Sequence, residues 1–191
     1  MKSSLPVFVS FLGWSDTGKT MLVCACLEFL AKKGVRTTAV KRAYHELKID
    51  KKESDSARMM RSGARNVMVL GMEGSVIFSN DYDREHVCGR DDLVRIFPET
   101  EVFLLEGFVP GESGKADGVN GNFSEAVLKV LCAGSANSVD ELKYPLSKID
   151  VLVTQNTELT EDVVSLGKPV VKSDQPERLI EFMEERYGLR S

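Results

Sequence analysis

The segment VFVSFLGWSDTGKTMLVCACLEFL, residues 7–30, contains the pattern that decides the fold. Its first six residues are apolar or small, as in a buried strand, and residues 13–20 match the consensus GxxxxGK[ST]. The apolar residues from Met21 onward are typical of a helix. Strand, glycine-rich loop and helix in this order form a phosphate-binding loop. The sequence therefore predicts that the chain binds a nucleoside triphosphate.

Each part of this loop predicts a contact with the triphosphate or its metal. Glycines let the backbone curl so that its N–H groups face phosphate oxygens, and the following helix presents the positive end of its dipole. Lys19 would reach the β and γ phosphates, and the Thr20 hydroxyl would be a ligand of Mg²⁺. The nucleotide contacts predicted here are Gly13, Trp14, Ser15, Asp16, Thr17, Gly18, Lys19 and Thr20.

Composition places the chain among ordinary globular proteins. Its 191 residues are enough for one well-buried core, so we expect a single nucleotide-binding domain over residues 1–191. The formal net charge of -4 offers no general attraction to nucleic acid or to an anionic membrane. Because no apolar run reaches the length of a signal peptide or a membrane span, we expect a cytoplasmic protein.

The four cysteines, Cys24, Cys26, Cys88 and Cys132, have neither metal-site nor disulfide-framework spacing. Cys24 and Cys26 lie two positions apart on the predicted first helix, where side chains point to nearly opposite sides. We therefore expect reduced, buried thiols that pack in the interior and no metal pair.

The remaining sequence alternates strand and helix patterns. The first helix is expected to end at Gly34, and residues 36–40 are predicted to form a second strand. The first strand, this helix and the second strand together form a right-handed parallel unit. Further elements are predicted as strands at 101–105, 127–131, 151–153 and 169–171, a hairpin or edge addition at 67–70 and 75–78, and helices at 54–62, 91–97 and 176–187. This succession predicts an α/β fold of the P-loop NTPase type, three layers with a mainly parallel sheet flanked by helices. Residues 108–123, rich in glycine and without periodicity, are expected to form a mobile loop or lid near the nucleotide.

Polar side chains at the ends of neighbouring strands are the next candidates, because ligands gather beyond the carboxyl ends of parallel strands. The second predicted strand leads into Lys41, and the strand at 101–105 leads into Glu106. A carboxylate there can hold a magnesium-bound water or orient an attacking water. Gly107 would allow a ligand to approach closely, so we favour this role for Glu106 over a helix N-cap or a surface ion pair.

Three separated segments give the chain a resemblance to the MobB family, the molybdopterin-guanine dinucleotide biosynthesis protein B family. Residues 13–20 resemble that family's tryptophan-serine version of the phosphate loop. Residues 40–64 are similar to its succession of lysine, histidine, aspartate and small residues, and residues 104–108 resemble its Val-Glu-Gly-Phe segment. The chain departs from the family pattern at Arg42, Ser54 and Val109.

The resemblance implies a GTP-binding α/β protein, usually a homodimer, that helps a partner guanylyltransferase attach GMP to molybdopterin. It implies weak, Mg²⁺-dependent GTP hydrolysis, with Lys19 and Glu106 as catalytic residues. Lys41 and Asp50 would then join the nucleotide contacts, and Asp55 and Glu106 would join Thr20 around the metal. Taken alone, the acidic turn that contains Asp50 and Asp55 is explained most simply as a solvated, helix-capping segment.

Two other functions remain open on the sequence. A small-molecule kinase would use residues 107–121 as a lid over an acceptor, and a regulatory NTP-binding module without activity is encouraged by Arg42 and Val109. The preference for GTP over ATP comes from the resemblance alone, because no Asn-Lys-x-Asp motif is present. Residues 154–156 occupy a plausible place for base contacts, or form only a turn.

Overall fold

The computed structural model describes residues 5–42, 54–72, 74–79, 89–108 and 127–188. Asp50, Cys88 and nearly all of the loop predicted at 108–123 lie outside the described residues. The elements in chain order are β1 (Val7–Leu12), α1 (Lys19–Lys32), β2 (Thr37–Lys41), α2 (Asp55–Arg61), β3 (Asn66–Gly71), β4 (Gly74–Ser79), α3 (Arg90–Ile96), β5 (Val102–Glu106), β6 (Val127–Cys132), β7 (Val151–Val153), α4 (Thr157–Ser165), β8 (Val170–Val171) and α5 (Pro176–Tyr187).

Six strands form a parallel sheet in the order β2-β5-β1-β6-β7-β8. The strand β1 therefore lies inside the sheet, between β5 and β6. All six of its residues are buried, as are the first four of β5. This explains their almost unbroken apolar sequences, because a parallel strand covered on both faces has no solvent side to carry polar residues.

Helices cover both faces of this sheet. On one face, α1 and α5 pack together over β1 through residues such as Leu22, Leu30, Leu179 and Met183. On the other face, Leu93 of α3 packs on a layer that includes Phe8, Phe103 and Leu105 of the central strands. A third cluster joins α4 to β6 and β7. The predicted three-layer α/β fold with a mainly parallel sheet is confirmed.

Two elements differ from the sequence-based expectation. The strands β3 and β4 pair antiparallel as a separate two-stranded sheet, so the predicted hairpin is confirmed but it does not extend the main sheet. The helix α4 is absent from the prediction, although Asn156 is its N-cap and accepts a hydrogen bond from the Leu159 amide at 3.0 Å.

The cysteines confirm one prediction and correct another. Cys26 is buried and Cys24 is exposed, so the two side chains do point away from each other and cannot form a metal pair. The expectation that Cys24 is buried was wrong, because its helix face is not covered. Burial raises the pKa of the Cys26 thiol to about 12. Within the described ranges, no three His, Cys, Asp or Glu side chains cluster as a metal site, and no helix is long and apolar enough to cross a membrane.

Candidate nucleotide site

The loop between β1 and α1 has the backbone of a phosphate-binding loop. Gly13 and Gly18 adopt positive φ angles of 140° and 82°, and Asp16 has a φ of 61°. Among the described residues, Asp16 is the one non-glycine residue with positive φ. A Cβ added to Gly18 would meet nothing within 4 Å, so the turn before α1 is open on the side to which that Cβ would point. No side chain caps the α1 N-terminus, which leaves its N–H groups available for an anion.

The first glycine of the loop is held tightly against the sheet. A Cβ on Gly13 would lie 2.5 Å from the Cys132 carbonyl oxygen, at the end of β6, and 2.7 Å from the Thr17 hydroxyl. Both contacts are shorter than real Cβ atoms adopt. The position of the loop relative to β6 therefore depends on the absence of a side chain at residue 13.

We expect Gly13→Ala to destabilise the protein by about 3 kcal/mol, because the added methyl group meets backbone as well as an unfavourable φ. Gly34→Ala is the matched control, since Gly34 also has positive φ, at 72°, but faces open space. Its expected cost is about 1 kcal/mol. Urea unfolding of both variants measures the difference, and equal free energies of unfolding would contradict the tight packing of Gly13.

Lys19, the first residue of α1, points back over the loop. Its Nζ donates to the Trp14 carbonyl oxygen and, at 3.3 Å, to that of Gly13. The Thr17 hydroxyl donates to the same Trp14 carbonyl at 2.9 Å. These contacts keep the Lys19 ammonium above the loop, where the charged oxygens of a phosphate would be stronger acceptors than a backbone carbonyl.

A second cluster joins Thr20, Lys41 and Glu106. The Thr20 hydroxyl lies 2.9 Å from both carboxylate oxygens of Glu106. Lys41 Nζ lies 2.9 Å from Glu106 Oε1 and 3.2 Å from the Thr20 hydroxyl. The pairing of β2 with β5 produces this arrangement, because it places Lys41 directly beside Glu106. Hydroxyl and carboxylate oxygens side by side are the hard donors that Mg²⁺ prefers.

The turn after β5 is tied to its neighbours. Gly107 has a φ of 84°, and the buried Ser10 hydroxyl of β1 donates to the Phe108 carbonyl oxygen at 2.5 Å. The Arg42 amide donates to the Glu106 carbonyl oxygen at 2.9 Å. The Glu106 side chain is only 12% exposed. Glu106 is therefore a largely buried carboxylate beside the loop, and its ion pair with Lys41 lies in the lining of the cavity.

These groups surround one cavity of about 670 Å³, a volume within the usual range for ligand sites. The predicted residues that line it are Gly13, Ser15, Asp16, Gly18, Lys19, Thr20, Lys41 and Glu106. Trp14 and Thr17 are not among the lining residues and act on the cavity through their contacts with Lys19 and with each other. The three strand ends of the prediction are therefore brought together.

Asp55 is placed differently. Its side chain is 86% exposed, pairs with Arg58 at 3.4 Å on the same helix, and does not line the cavity. The N-cap of this helix is Ser54, as the sequence predicted, with its hydroxyl accepting from the Ala57 amide at 3.1 Å. A metal-binding role for Asp55 remains a prediction without support from this geometry.

The candidate base contacts after β7 have structural partners. The side-chain oxygen Oδ1 of Asn156 caps α4. Its side-chain Nδ2 donates to Asn137 Oδ1 at 3.0 Å. Thr154 is buried and accepts from the Asn156 amide at 3.1 Å. The second of the two predicted alternatives, a turn at residues 154–156, therefore explains these hydrogen bonds.

Three residues near the cavity were not singled out from the sequence. Lys143 and Tyr144 line it from the chain between β6 and β7, a segment with two 3₁₀ turns, Val139–Glu141 and Leu146–Lys148, and no motif. Cys132 ends β6 behind the loop, and its pKa is raised to about 12 by burial, with Glu106 adding to the rise and Lys19 opposing it. The Cys132 thiol is neutral at physiological pH.

Comparison with known protein families matches the part of the chain that contains the phosphate-binding loop. The family model described as molybdopterin guanine dinucleotide synthesis protein B, MobB, matches residues 8–131, which is more than half of the chain. The molybdopterin-guanine dinucleotide biosynthesis adapter protein of Escherichia coli (strain K12) is 27% identical over 119 residues, 60% of this chain and 65% of that protein. The protein of the same name from Haemophilus influenzae is 27% identical over 110 residues, 56% of this chain and 60% of that protein.

Solved structures share the fold. A crystal structure of molybdopterin-guanine biosynthesis protein B aligns with a TM-score of 0.60 and 18% identity, over 96% of this chain and 100% of that chain. Bacillus subtilis MobB aligns with a TM-score of 0.60 and 19% identity, over 93% and 96%. The matched segments span less than two thirds of the Escherichia coli and Haemophilus influenzae proteins. Because the family model covers the phosphate loop and β1 to β5 with most of β6, this chain belongs to the MobB family.

Proposed function

We propose that this chain binds GTP together with Mg²⁺ and serves as an accessory protein in the biosynthesis of molybdopterin guanine dinucleotide, with slow GTP hydrolysis. The observation that carries the nucleotide part is the meeting of Lys19, Thr20 and Glu106 around one cavity at the α1 N-terminus. The biosynthetic part is supported by membership of the MobB family and by relatives named adapter proteins.

The residues present fit both groups. The open turn at Gly18 and the uncapped α1 N-terminus suit a phosphate, and Lys19 would exchange its carbonyl acceptors for phosphate oxygens. Thr20 and Glu106 would hold Mg²⁺, which when bound neutralises charge on the phosphates. Lys41 would add a positive charge at the same end of the site.

The contacts of Glu106 favour slow hydrolysis over a kinase activity. Within the described part of the cavity the acidic side chains are Asp16 and Glu106, and Glu106 already accepts from Thr20 and pairs with Lys41. A carboxylate held in this way is a poor base for activating an acceptor hydroxyl. Water activation would therefore be weak, as expected of a protein that uses GTP binding for assembly.

Calorimetric titration with GTP and with ATP in magnesium buffer tests the binding part of the proposal, and a phosphate-release assay with and without an acceptor tests the hydrolysis part. We expect clear preference for GTP and slow phosphate release that needs no acceptor. Preference for ATP with rapid, acceptor-dependent loss of the γ-phosphate would instead identify a kinase. Binding without any turnover would identify a regulatory module.

We also propose that the chain works as a homodimer through the hairpin formed by β3 and β4, and that the dimer meets a partner of the guanylyltransferase type. Apolar side chains are exposed on both faces of this hairpin. On one face Leu70 and Ile77 are 75% and 61% exposed, and on the other Val69 and Val76 are 44% and 38% exposed. An isolated two-stranded sheet is marginally stable, and exposed apolar patches mark interfaces.

We expect the wild-type protein to elute as a dimer of 21.2 kDa subunits, and Ile77→Glu to convert it to monomers. A charge at this position cannot be buried without a partner. Leu166→Glu is the matched control, since Leu166 is 63% exposed at the end of α4, and it should stay dimeric. Light scattering after size exclusion gives the mass, and an Ile77→Glu dimer would contradict the proposed interface.

A further inference from the structure

One lysine that lines the cavity of the candidate nucleotide site has no role in the preceding proposal. Lys143 follows the 3₁₀ turn Val139–Glu141 and lines the same cavity as Ser15 and Lys19, although it is distant from them in sequence. Its Nζ lies 5.1 Å from the centre of the Trp14 ring and 5.7 Å from that of Tyr144. The ammonium group is therefore held near two aromatic rings, a geometry that attracts a cation without neutralising it.

The surroundings leave the charge of Lys143 unmatched. Among the described residues, no ion pair includes Lys143. The described cavity lining carries four cationic side chains, Lys19, Lys41, Arg42 and Lys143, against two acidic ones, Asp16 and Glu106. An excess of positive charge around a phosphate-binding loop is suited to a polyphosphate.

Trp14 indicates which end of the polyphosphate Lys143 would meet. The Trp14 carbonyl accepts from Lys19, the residue that reaches the β and γ phosphates in such loops, while the Trp14 ring faces Lys143. The two cations thus approach the same loop residue from its backbone and from its side chain. Thr20 follows Lys19 and contacts Glu106, the pair proposed above to hold Mg²⁺.

We propose that Lys143 binds the terminal phosphate of the nucleotide and that Trp14 and Tyr144 hold its ammonium group beside the loop before the nucleotide binds. The inference rests on the proposed nucleotide binding and adds a residue that favours triphosphate over diphosphate. The proposed contact lies in the cavity already described and involves no chemical reaction. It predicts that the Lys143 ammonium exchanges its contact with the Trp14 ring for a phosphate oxygen, which is a stronger partner.

The test compares Lys143→Met with Lys143→Arg, which restores the charge, and with Lys32→Met, an exposed lysine at the other end of α1. We expect Lys143→Met to bind GTP about tenfold more weakly while GDP affinity changes less than about twofold. Lys143→Arg should recover most of the GTP affinity, and Lys32→Met should behave as wild type. Equal losses for GTP and GDP, or no loss, would overturn the inference.

Fluorescence provides a second readout that does not depend on turnover, because Trp14 is the one tryptophan in the sequence. Lys143→Met should change Trp14 emission without nucleotide, and GTP should move wild-type emission toward that of the variant. Unchanged emission in both experiments would contradict the contact and its exchange.

Tripolyphosphate and pyrophosphate separate this inference from the proposed function, since neither has a base. If the wild type binds GTP and Lys143→Met binds it equally well, the inference fails and the proposed function stands. If the wild type binds neither GTP nor ATP but prefers tripolyphosphate to pyrophosphate in a Lys143-dependent way, the proposed nucleotide function fails, whereas the contact of Lys143 with a terminal phosphate stands. If it binds none of these anions, both are overturned.

Discussion

Lys19→Ala is expected to weaken GTP binding at least about 100-fold, a loss of about 2.7 kcal/mol. The substitution removes the ammonium group that the structure holds above the loop through the Trp14 and Gly13 carbonyls. The Trp14 carbonyl also accepts from the Thr17 hydroxyl and so keeps a partner when Lys19 is removed, so the fold should keep its melting temperature within a few degrees. Calorimetric titration with GTP in magnesium buffer measures the loss.

Lys32→Ala is the matched control for this experiment. Lys32 is the last residue of the same helix and is exposed, so its removal changes the net charge equally but leaves the loop untouched. It should bind GTP as the wild type does. Unchanged affinity in Lys19→Ala would exclude this cavity as the nucleotide site. Equal losses of affinity in both variants would show that the loss comes from the change in net charge and not from a contact of Lys19 with the nucleotide.

Glu106→Gln is expected to lower the rate of GTP hydrolysis about 100-fold and to leave GTP affinity within about threefold of wild type. The amide keeps the volume of the side chain and one carbonyl oxygen for Thr20, but it removes the negative charge shared by Thr20 and Lys41. The hydrolysis that remains should require more Mg²⁺, because an amide is a weaker ligand than a carboxylate. Single-turnover phosphate release over a magnesium series measures both effects.

Glu101→Gln serves as the control for Glu106→Gln. Glu101 precedes the same strand and is exposed, and its carboxylate contacts Arg36 through the backbone amide at 3.1 Å and the guanidinium at 3.7 Å. Its substitution removes one negative charge from the sheet without reaching the cavity, and its hydrolysis rate should be unchanged. An unaltered rate in Glu106→Gln would remove Glu106 from the hydrolytic machinery and leave it as a positioning partner of Lys41.

The parts of the site that were predictable from sequence are those fixed by local chain geometry. The order of strand, loop and helix places Gly13, Lys19 and Thr20 together without any information from the rest of the chain. The position of Glu106 was predictable for a related reason, since the carboxyl ends of parallel strands meet at one edge. Strand β7 and helix α5 were also predicted within their observed bounds.

The contacts between distant segments were not predictable. The pairing of Lys41 with Glu106 depends on β2 lying next to β5, which the spacing in the chain does not reveal. Lys143 reaches Trp14 through tertiary packing alone, and no motif surrounds it. Helix α4 was missed because its nine residues carry only a short apolar repeat, Leu159 and Val163, after an Asn cap.

The packing of α5 against α1 bears on the order in which parts of this protein fold during synthesis. The loop and α1 leave the ribosome early, yet Leu22 and Leu30 share their cluster with Ile180 and Met183, and Lys33 pairs with Glu184. Until α5 has been translated, the part of α1 that α5 covers is exposed, although α1 also packs on β1 and β5. The nascent chain therefore carries its complete loop sequence long before the residues of α5 that pack on α1 have been synthesised, so the packing of α1 against α5 forms only after them.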